Sequence, residues 1–373
     1  MPLDRRTFLK AAGLFSAAGL CAPLCARTAA ADVVLGSVHV REARYYQRLE
    51  GGRVRCGTCP HQCELEIGER GRCRAKENAG GRLYTLSYGN PATVAVDPVE
   101  KKPLLHFLPG SRAFSLAVAG CNFRCLNCQN WELSQSAPDE VRTMDLPPEK
   151  AAELAATYGC QSIAYTYSEP VSFYEYMVDT AAAARSRGVR NIWVSNAYIQ
   201  QEPLKALLKV VDAAALNLKS MSDETYRTLN GGRLSPVLQA LKTVVEQGVW
   251  LEVIHLVVPT YTDDLKQTAT LAKWITDNLG PDVPLHLSRF IPRYKLLHLP
   301  PTPVSFLEDA RDTAREQGLH HVYLGNVPGG GDVVFCPGCG AAAVKRNGYL
   351  LLENTLKDGK CGACGRRIAG TWS

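Results

Sequence analysis

No run of about 18 consecutive apolar residues occurs in this chain, so no transmembrane helix is expected of the mature protein. No segment of 20–50 residues recurs, which excludes solenoids and propellers. Charge of one sign is also scarce. The 42 Lys and Arg against 36 Asp and Glu leave +6, and Arg5, Arg6, Lys10 and Arg27, opposed only by Asp4, supply half of that excess. What remains is too weak for a nucleic-acid footprint or a membrane-surface patch. With 46% hydrophobic, 21% charged and 8% aromatic residues, collagen-like, coiled-coil and wholly disordered readings fall away. A length of 373 residues accommodates one α/β domain of about 250 residues with smaller appendages.

Cysteine is present in excess, with 14 in the chain. Cys21 and Cys25 lie in the N-terminal apolar stretch and Cys160 stands alone. The others form three groups: Cys56, Cys59, Cys63 and Cys73; Cys121, Cys125 and Cys128; and Cys336, Cys339, Cys361 and Cys364. Disulfide frameworks usually pin small domains without a core, and this chain is long enough to bury one. Thiolates two or three residues apart can converge on one ion or cluster, so metal sites are the first reading and disulfides or spare buried thiols the second.

Residues 1–31 read as an address. Asp4-Arg5-Arg6-Thr7-Phe8-Leu9-Lys10 precedes a weakly apolar run from Ala11 to Leu24, and Ala29-Ala30-Ala31 offers a small-residue cleavage site. This layout resembles a twin-arginine signal peptide, with an uncleaved amphipathic anchor as the alternative.

Residues 32–50 suggest a short lead-in helix, and 32–112 form an N-terminal segment holding the first cysteine group. From Ala113 an alternation sets in. Strand-like runs at Ala113–Ala119, Ser162–Thr166, Asn191–Ser195, Ala213–Leu218, Leu251–Val258, Leu285–Phe290 and His321–Leu324 are separated by helical patterns at 148–158, 171–187, 201–210, 222–229, 234–247, 264–279 and 304–317. Gly159, Gly188, Gly248, Gly280 and Gly318 sit where these helices should end. The alternation predicts an α/β fold over 113–327, a parallel sheet covered by helices. A partial or full (β/α) barrel and an open doubly wound sheet both satisfy it, and in both the ligands bind at the carboxyl ends of the strands. The glycine-rich stretch Gly325–Gly331 then leads into a C-terminal four-cysteine module over 328–373.

Gly120-Cys121-Asn122-Phe123-Arg124-Cys125-Leu126-Asn127-Cys128-Gln129-Asn130 directly follows the first strand. A cubane [4Fe–4S] cluster normally takes four cysteines. Three leave one iron open to an outside ligand, by the same logic as the open position of a catalytic zinc.

Here the sequence resembles the radical SAM superfamily, in the branch of the pyruvate formate-lyase activating enzymes and of the radical SAM member of the AmmeMemoRadiSam system. The resemblance rests on the cysteine loop with Gln129-Asn130-Trp131-Glu132, on Tyr165-Thr166-Tyr167-Ser168-Glu169-Pro170, on Asn217-Leu218-Lys219-Ser220, on His286-Leu287-Ser288-Arg289-Phe290-Ile291-Pro292, and on Cys-Gly-Thr-Cys-Pro-His-Gln-Cys at 56–63. It implies that Cys121, Cys125 and Cys128 bind a [4Fe–4S] cluster whose open iron is chelated by S-adenosylmethionine. Reductive cleavage of the sulfonium would give a 5′-deoxyadenosyl radical that abstracts hydrogen from a substrate. It further implies that Glu169 receives the methionyl ammonium, with Asn196, Lys219 and Arg289 holding S-adenosylmethionine or substrate and His286 a further strand-end candidate. Each of these could instead make plain structural hydrogen bonds, and Glu169 could cap the helix opening after Pro170. Two positions depart from the superfamily pattern: Tyr167-Ser168 replaces a Gly-Gly pair, and Asn127 stands where an aromatic residue is common. His255 reads as a satisfied core histidine, and Tyr165 and Tyr167 as packing.

Cys336-Pro337-Gly338-Cys339 and Cys361-Gly362-Ala363-Cys364 resemble a zinc ribbon, with a rubredoxin-like iron as the runner-up. Cys56, Cys59, Cys63 and Cys73 could hold zinc or an auxiliary iron–sulfur cluster, zinc being the first choice and His61 a substitute ligand.

Two functions follow. The first is a radical SAM enzyme, activase-like or tailoring. It would need an electron donor, and its partners would be a protein substrate or, by resemblance only, Amme-like and Memo-like companions. The second is an exported electron carrier or metal-binding protein on a non-catalytic barrel. The signal suggests export, whereas the supply of S-adenosylmethionine and reductant suggests the cytoplasm.

Overall fold

A computed structural model describes residues 33–35, 39–327 and 332–373. The signal-like stretch and Cys21 and Cys25 lie outside the described residues. No helix among the described residues is long and apolar enough to cross a membrane.

The segment before the barrel is built from short strands, not from a lead-in helix. They are β1 (Val33–Leu35), β2 (Arg41–Glu42), β3 (Tyr46–Arg48), β4 (Val54–Cys56), β5 (Glu64–Leu65), β6 (Lys76–Ala79) and β7 (Arg82–Thr85). β2 and β3 pair with β7 and β4. The pairing of β2 with a strand far along the chain, and of β3 with the adjacent β4, supplies what a helical period within 32–50 cannot. The resulting sheets, β3-β4-β5 and β2-β7-β6, rest on the helix Tyr174–Arg185. There Lys76 Nζ donates to both oxygens of buried Glu175, at 2.9 and 2.7 Å, and the Tyr45 ring meets Tyr174 edge-on.

The main sheet has eight strands. β8 (Thr93–Pro98) is antiparallel to β9 (Arg112–Ala117). β10 (Arg142–Met144) pairs with β1 outside this sheet. The parallel series continues through β11 (Ser162–Tyr165), β12 (Arg190–Ser195), β13 (Ala213–Asn217), β14 (Trp250–Val257), β15 (Leu285–Arg289) and β16 (Val322–Gly325). β8 is one strand more than the alternation predicts. Neighbours follow chain order from one edge to the other. Right-handed crossovers then put every helix on one face, so the other face becomes an interior. A doubly wound sheet would reverse its order midway. Because β8 and β16 do not pair, the barrel is partial.

The helical patterns appear as helices at Pro148–Thr157, Tyr174–Arg185, Gln201–Leu207, Leu234–Glu246, Leu265–Asn278 and Val304–Glu316. The pattern at 171–187 opens as a 3₁₀ turn over Pro170–Phe173, and that at 222–229 becomes one α turn followed by a π turn, Tyr226–Asn230. Gly159 and Gly248 end their helices with φ of +62° and +73°, a conformation in which a Cβ would be strained.

Alternate strand residues divide the core. Phe114, Leu116, Ile163, Trp193, Leu216 and Val253 pack outward against the helices. Ala113, Ala164, Ile192, Ala213, Ala215 and Ile254 line the interior together with Val99, Leu104 and Phe107. The small residues leave room for the 99–107 segment to plug the amino-terminal end of the strands, the floor of the barrel. Glu252 on β14 accepts from the Leu105 and His106 amides at 3.0 and 2.8 Å.

The C-terminal module, β17 (Val334–Phe335), β18 (Ala342–Asn347) and β19 (Leu350–Asn354), closes this floor from below. Arg346 reaches buried Glu100 at 3.2 Å and the Leu105 carbonyl at 2.6 Å, and Leu108 donates its amide to Thr371 O at 2.7 Å.

Candidate active site

The opposite, carboxyl end of the strands carries the three-cysteine loop. Gly120, with φ of +109°, opens it, and a Cβ there would lie 2.6 Å from the Cys73 carbonyl oxygen. Only glycine fits both demands. The loop then wraps its sulfurs in donors. The Phe123 amide reaches Cys121 Sγ at 3.3 Å, and Asn230 Nδ2, arriving from the π turn, reaches Cys125 Sγ at 3.3 Å. The backbone of Asn130 and the side chain of Ser134 serve Cys128.

Burial is the main force on these thiols. It pushes Cys121 well above an ordinary thiol, with Glu169 and Cys125 adding to it. Cys128 is raised in the same way, again with Cys125 next. The three groups therefore feel one another, yet no three of these or of any other thiols outside the C-terminal module lie within 4.8 Å of one another among the described residues. A single ion needs a tighter set; a cluster gives each thiolate its own iron.

Glu169 follows β11 and is 3% exposed. Its Oε1 accepts from Val171 N at 3.1 Å and Ser195 Oγ at 2.6 Å, and Oε2 from Asn196 N at 2.8 Å. The carboxylate thus caps the turn after Pro170 and ties the ends of β11 and β12 together. Burial lifts its pKa above the ordinary value despite these donors. A carboxylate accepts at about four positions, so one on Oε2 is left over. Asn196 Nδ2 donates to Asn122 Oδ1 at 2.8 Å, and Asn196 Oδ1 accepts from Tyr198 N at 2.9 Å.

Tyr167 accounts for the departure from Gly-Gly. Its φ is +68°, the left-handed conformation a glycine would supply there. The phenol hydroxyl bonds Asp97, and the ring lies 4.5 Å from Lys102 Nζ. Asn130 Nδ2 donates to the Tyr167 carbonyl at 2.8 Å. An aromatic residue holds the strained backbone because its side chain is anchored inside the barrel.

A profile of the Radical SAM superfamily matches residues 116–272, the stretch from β9 to the helix after β14. The uncharacterized protein MJ0808 of Methanocaldococcus jannaschii is 44% identical over 334 residues, covering 88% of this chain and 99% of that one. The pyruvate formate-lyase 1-activating enzyme of Escherichia coli K12 is 27% identical over 177 residues, covering 45% of this chain and 70% of the enzyme. The chain belongs to the radical SAM superfamily. Among solved structures, a radical SAM methyltransferase from Sphaerobacter thermophilus superposes with a TM-score of 0.45 at 11% identity, covering 76% of each chain.

The radical SAM barrel gathers some of the expected residues and separates others. Lys219, after β13, places its charge where it acts on Cys128, Glu169 and His255. Arg289, at the end of β15, spends its Nε on Thr302 O at 2.8 Å. His286 lies deeper, its Nε2 2.7 Å from Glu252 Oε2 at the floor. Although burial opposes the charge on Glu252, His286 and the amides hold its carboxyl at about 2. His255 is a core histidine, its Nδ1 2.9 Å from Leu218 O, and Tyr165 hydrogen-bonds Asn191 at 3.0 Å in the outer core. Sequence reasoning missed Asn122 as a strut and Asn230 as a sulfur donor. Nothing local marks Asn230, which is 105 residues from Cys125.

The four C-terminal thiols form a different kind of site. Their sulfurs lie within 4.8 Å of one another, with Cys336 to Cys364 at 3.6 Å and Cys339 to Cys361 at 3.8 Å. A metal–sulfur bond of about 2.3 Å gives tetrahedral edges of about 3.8 Å. Burial works to raise Cys336, but the Gly338 and Cys339 amides hold it down at about 7, ready to be a thiolate. The N-terminal cysteines show no such compact set, and His61 Nε2 is engaged with Asn122 O at 2.8 Å.

Proposed function

We propose that this radical SAM enzyme uses Cys121, Cys125 and Cys128 to hold the [4Fe–4S] cluster that reductively cleaves S-adenosylmethionine, and that it abstracts hydrogen from a substrate in the manner of its activase-like relatives. The observation that carries this reading is the loop of three buried or half-buried thiols that act on one another at the carboxyl end of the first parallel strand. When bound, the cluster and S-adenosylmethionine supply a one-electron cleavage of the sulfonium and a hydrogen abstraction. The chain's own residues frame that chemistry. Glu169 offers its remaining acceptor position to the methionyl ammonium, a charge-assisted bond in a buried site. Asn196 fixes Asn122, and with it the loop that bears Cys121. Lys219 stands beside Glu169 and Cys128 and is suited to a carboxylate. Arg289, tied to Thr302, positions the 290–302 loop at the barrel mouth; Lys295 of that loop donates its amide to Leu126 O at 3.0 Å. The C-terminal thiols hold zinc and fasten the barrel floor.

Fold and relatives lend no support to a non-catalytic carrier. The test is anaerobic reduction with dithionite in the presence of S-adenosylmethionine, followed by assay of 5′-deoxyadenosine. The wild-type chain should release it and the Cys125→Ala variant should not. An intact cluster that yields none refutes the catalytic reading.

A further inference from the structure

Four cysteines remain outside the chemistry described so far. Cys56 ends β4, Cys59 and Cys63 lie in the connection to β5, and Cys73 in the loop before β6. Cys56 N donates to Cys63 O at 2.9 Å, which folds the connection back on itself. Gly71 lies between two of the sulfurs: a Cβ there would be 3.9 Å from Cys73 Sγ and 4.0 Å from Cys63 Sγ. The Arg72 amide reaches Cys63 Sγ at 3.4 Å. Cys59 feels Cys56, Cys73 and Cys63, and Cys73 feels Cys56 and Cys63. Cys63 and Cys73 thus flank one point beside Gly71, and Cys56 and Cys59 lie close enough to share their charge.

The molecule supplies its own standards for what fills it. The C-terminal thiols, suited to one ion, fall within 4.8 Å of one another; among the described residues no other three thiols do. The N-terminal group shares this wider spread with Cys121, Cys125 and Cys128. Four neighbouring thiolates, no three of them as close as the C-terminal set, suit a cluster with several irons better than one tetrahedral ion.

Two loops are also stitched together here. The Cys73 carbonyl presses on Gly120, the residue before Cys121. His61 meets Asn122 O, and Arg124 bridges Arg72 O and, at 2.9 Å, Cys121 O. Lys76, 1% exposed and paired with Glu175, acts on Cys56 and Cys73.

We propose that Cys56, Cys59, Cys63 and Cys73 hold an auxiliary iron–sulfur cluster that relays single electrons to the cluster at Cys121. The site stands on its own geometry; the relay rests on the catalytic reading given above. In each transfer the auxiliary cluster is oxidised by one electron and the Cys121 cluster reduced by one, with no proton moved. An external low-potential one-electron carrier restores the auxiliary cluster.

The test uses the full chain with Cys121→Ala, Cys125→Ala and Cys128→Ala combined, reconstituted anaerobically with iron and sulfide. It should keep iron and acid-labile sulfide in near-equal amounts and one zinc. Two zinc and no sulfide would overturn the site. Should that variant fail to fold, the wild-type chain decides: iron well above the four or so of one cubane supports the site, and iron at that level with two zinc overturns it. For the relay, the electron paramagnetic resonance signal of the dithionite-reduced wild type should be broadened by a second nearby spin, and this broadening should vanish in the triple variant. Two unperturbed signals would overturn the relay. A triple variant that retains iron and sulfide while the wild type releases no 5′-deoxyadenosine sustains the site and removes only the catalytic reading.

Discussion

Asn196 and Asn122 join the end of β12 to the cysteine loop through a 2.8 Å hydrogen bond between their buried amides. Asn122 Nδ2 continues to Tyr198 O at 2.9 Å, so both ends of the Asn122 amide are held by the segment after β12. Asn122→Ala leaves Asn196 Nδ2 without its acceptor, at a cost of about 1–3 kcal/mol. We expect a folded chain with a lower iron content after reconstitution, measured by iron analysis, and a melting temperature reduced by a few degrees.

Tyr167 combines a left-handed backbone with a phenol bonded to Asp97. Tyr167→Phe keeps the ring over Lys102 but removes a hydrogen bond to a charged group, worth about 1.5–3 kcal/mol. Urea unfolding should show that loss with an unchanged slope. A midpoint equal to the wild type would mean that the hydroxyl contributes nothing.

Arg346 and Glu100 form the buried ion pair that fastens the C-terminal module. Arg346→Met strands the Glu100 charge and should destabilise by about 3–5 kcal/mol. Replacing both, with Glu100→Gln, should recover part of this. Chemical unfolding of the single and double variants measures the difference.

Burial drives His106 and His255 down to about 4 from an ordinary 6.5. Between those values the unfolded chain binds protons that the folded chain excludes. Stability is therefore full above pH 6.5 and falls as pH drops toward 4, by up to about 3 kcal/mol for each histidine. Melting temperatures scanned from pH 7.5 to 4.5 should be flat and then decline. A decline above pH 6.5 would point to other groups.

Cys361→Ser removes one ligand from the compact C-terminal set. The variant should lose one zinc per chain while keeping the iron of the wild type, as read by metal analysis. Parallel loss of iron would mean that the two ends of the barrel are not independent.

The sequence by itself determined what is local. Glycine-marked helix ends, seven parallel strands and the cysteine spacings are all written in short stretches of chain, because period and turn chemistry depend on near neighbours. The resemblance to the radical SAM superfamily rested on the same short stretches. Tertiary structure alone decided the rest. It chose the partial barrel over the doubly wound sheet, since alternation fixes the element types but not their order in space. It turned the expected lead-in helix into short strands, two of which, β1 and β2, pair far along the chain. It placed His286 at the floor and Glu169 within a cage of donors. It also separated a thiol set sized for one ion from two spread more widely, because the gaps between sulfurs are set by how loops pack, which spacing along the chain does not specify.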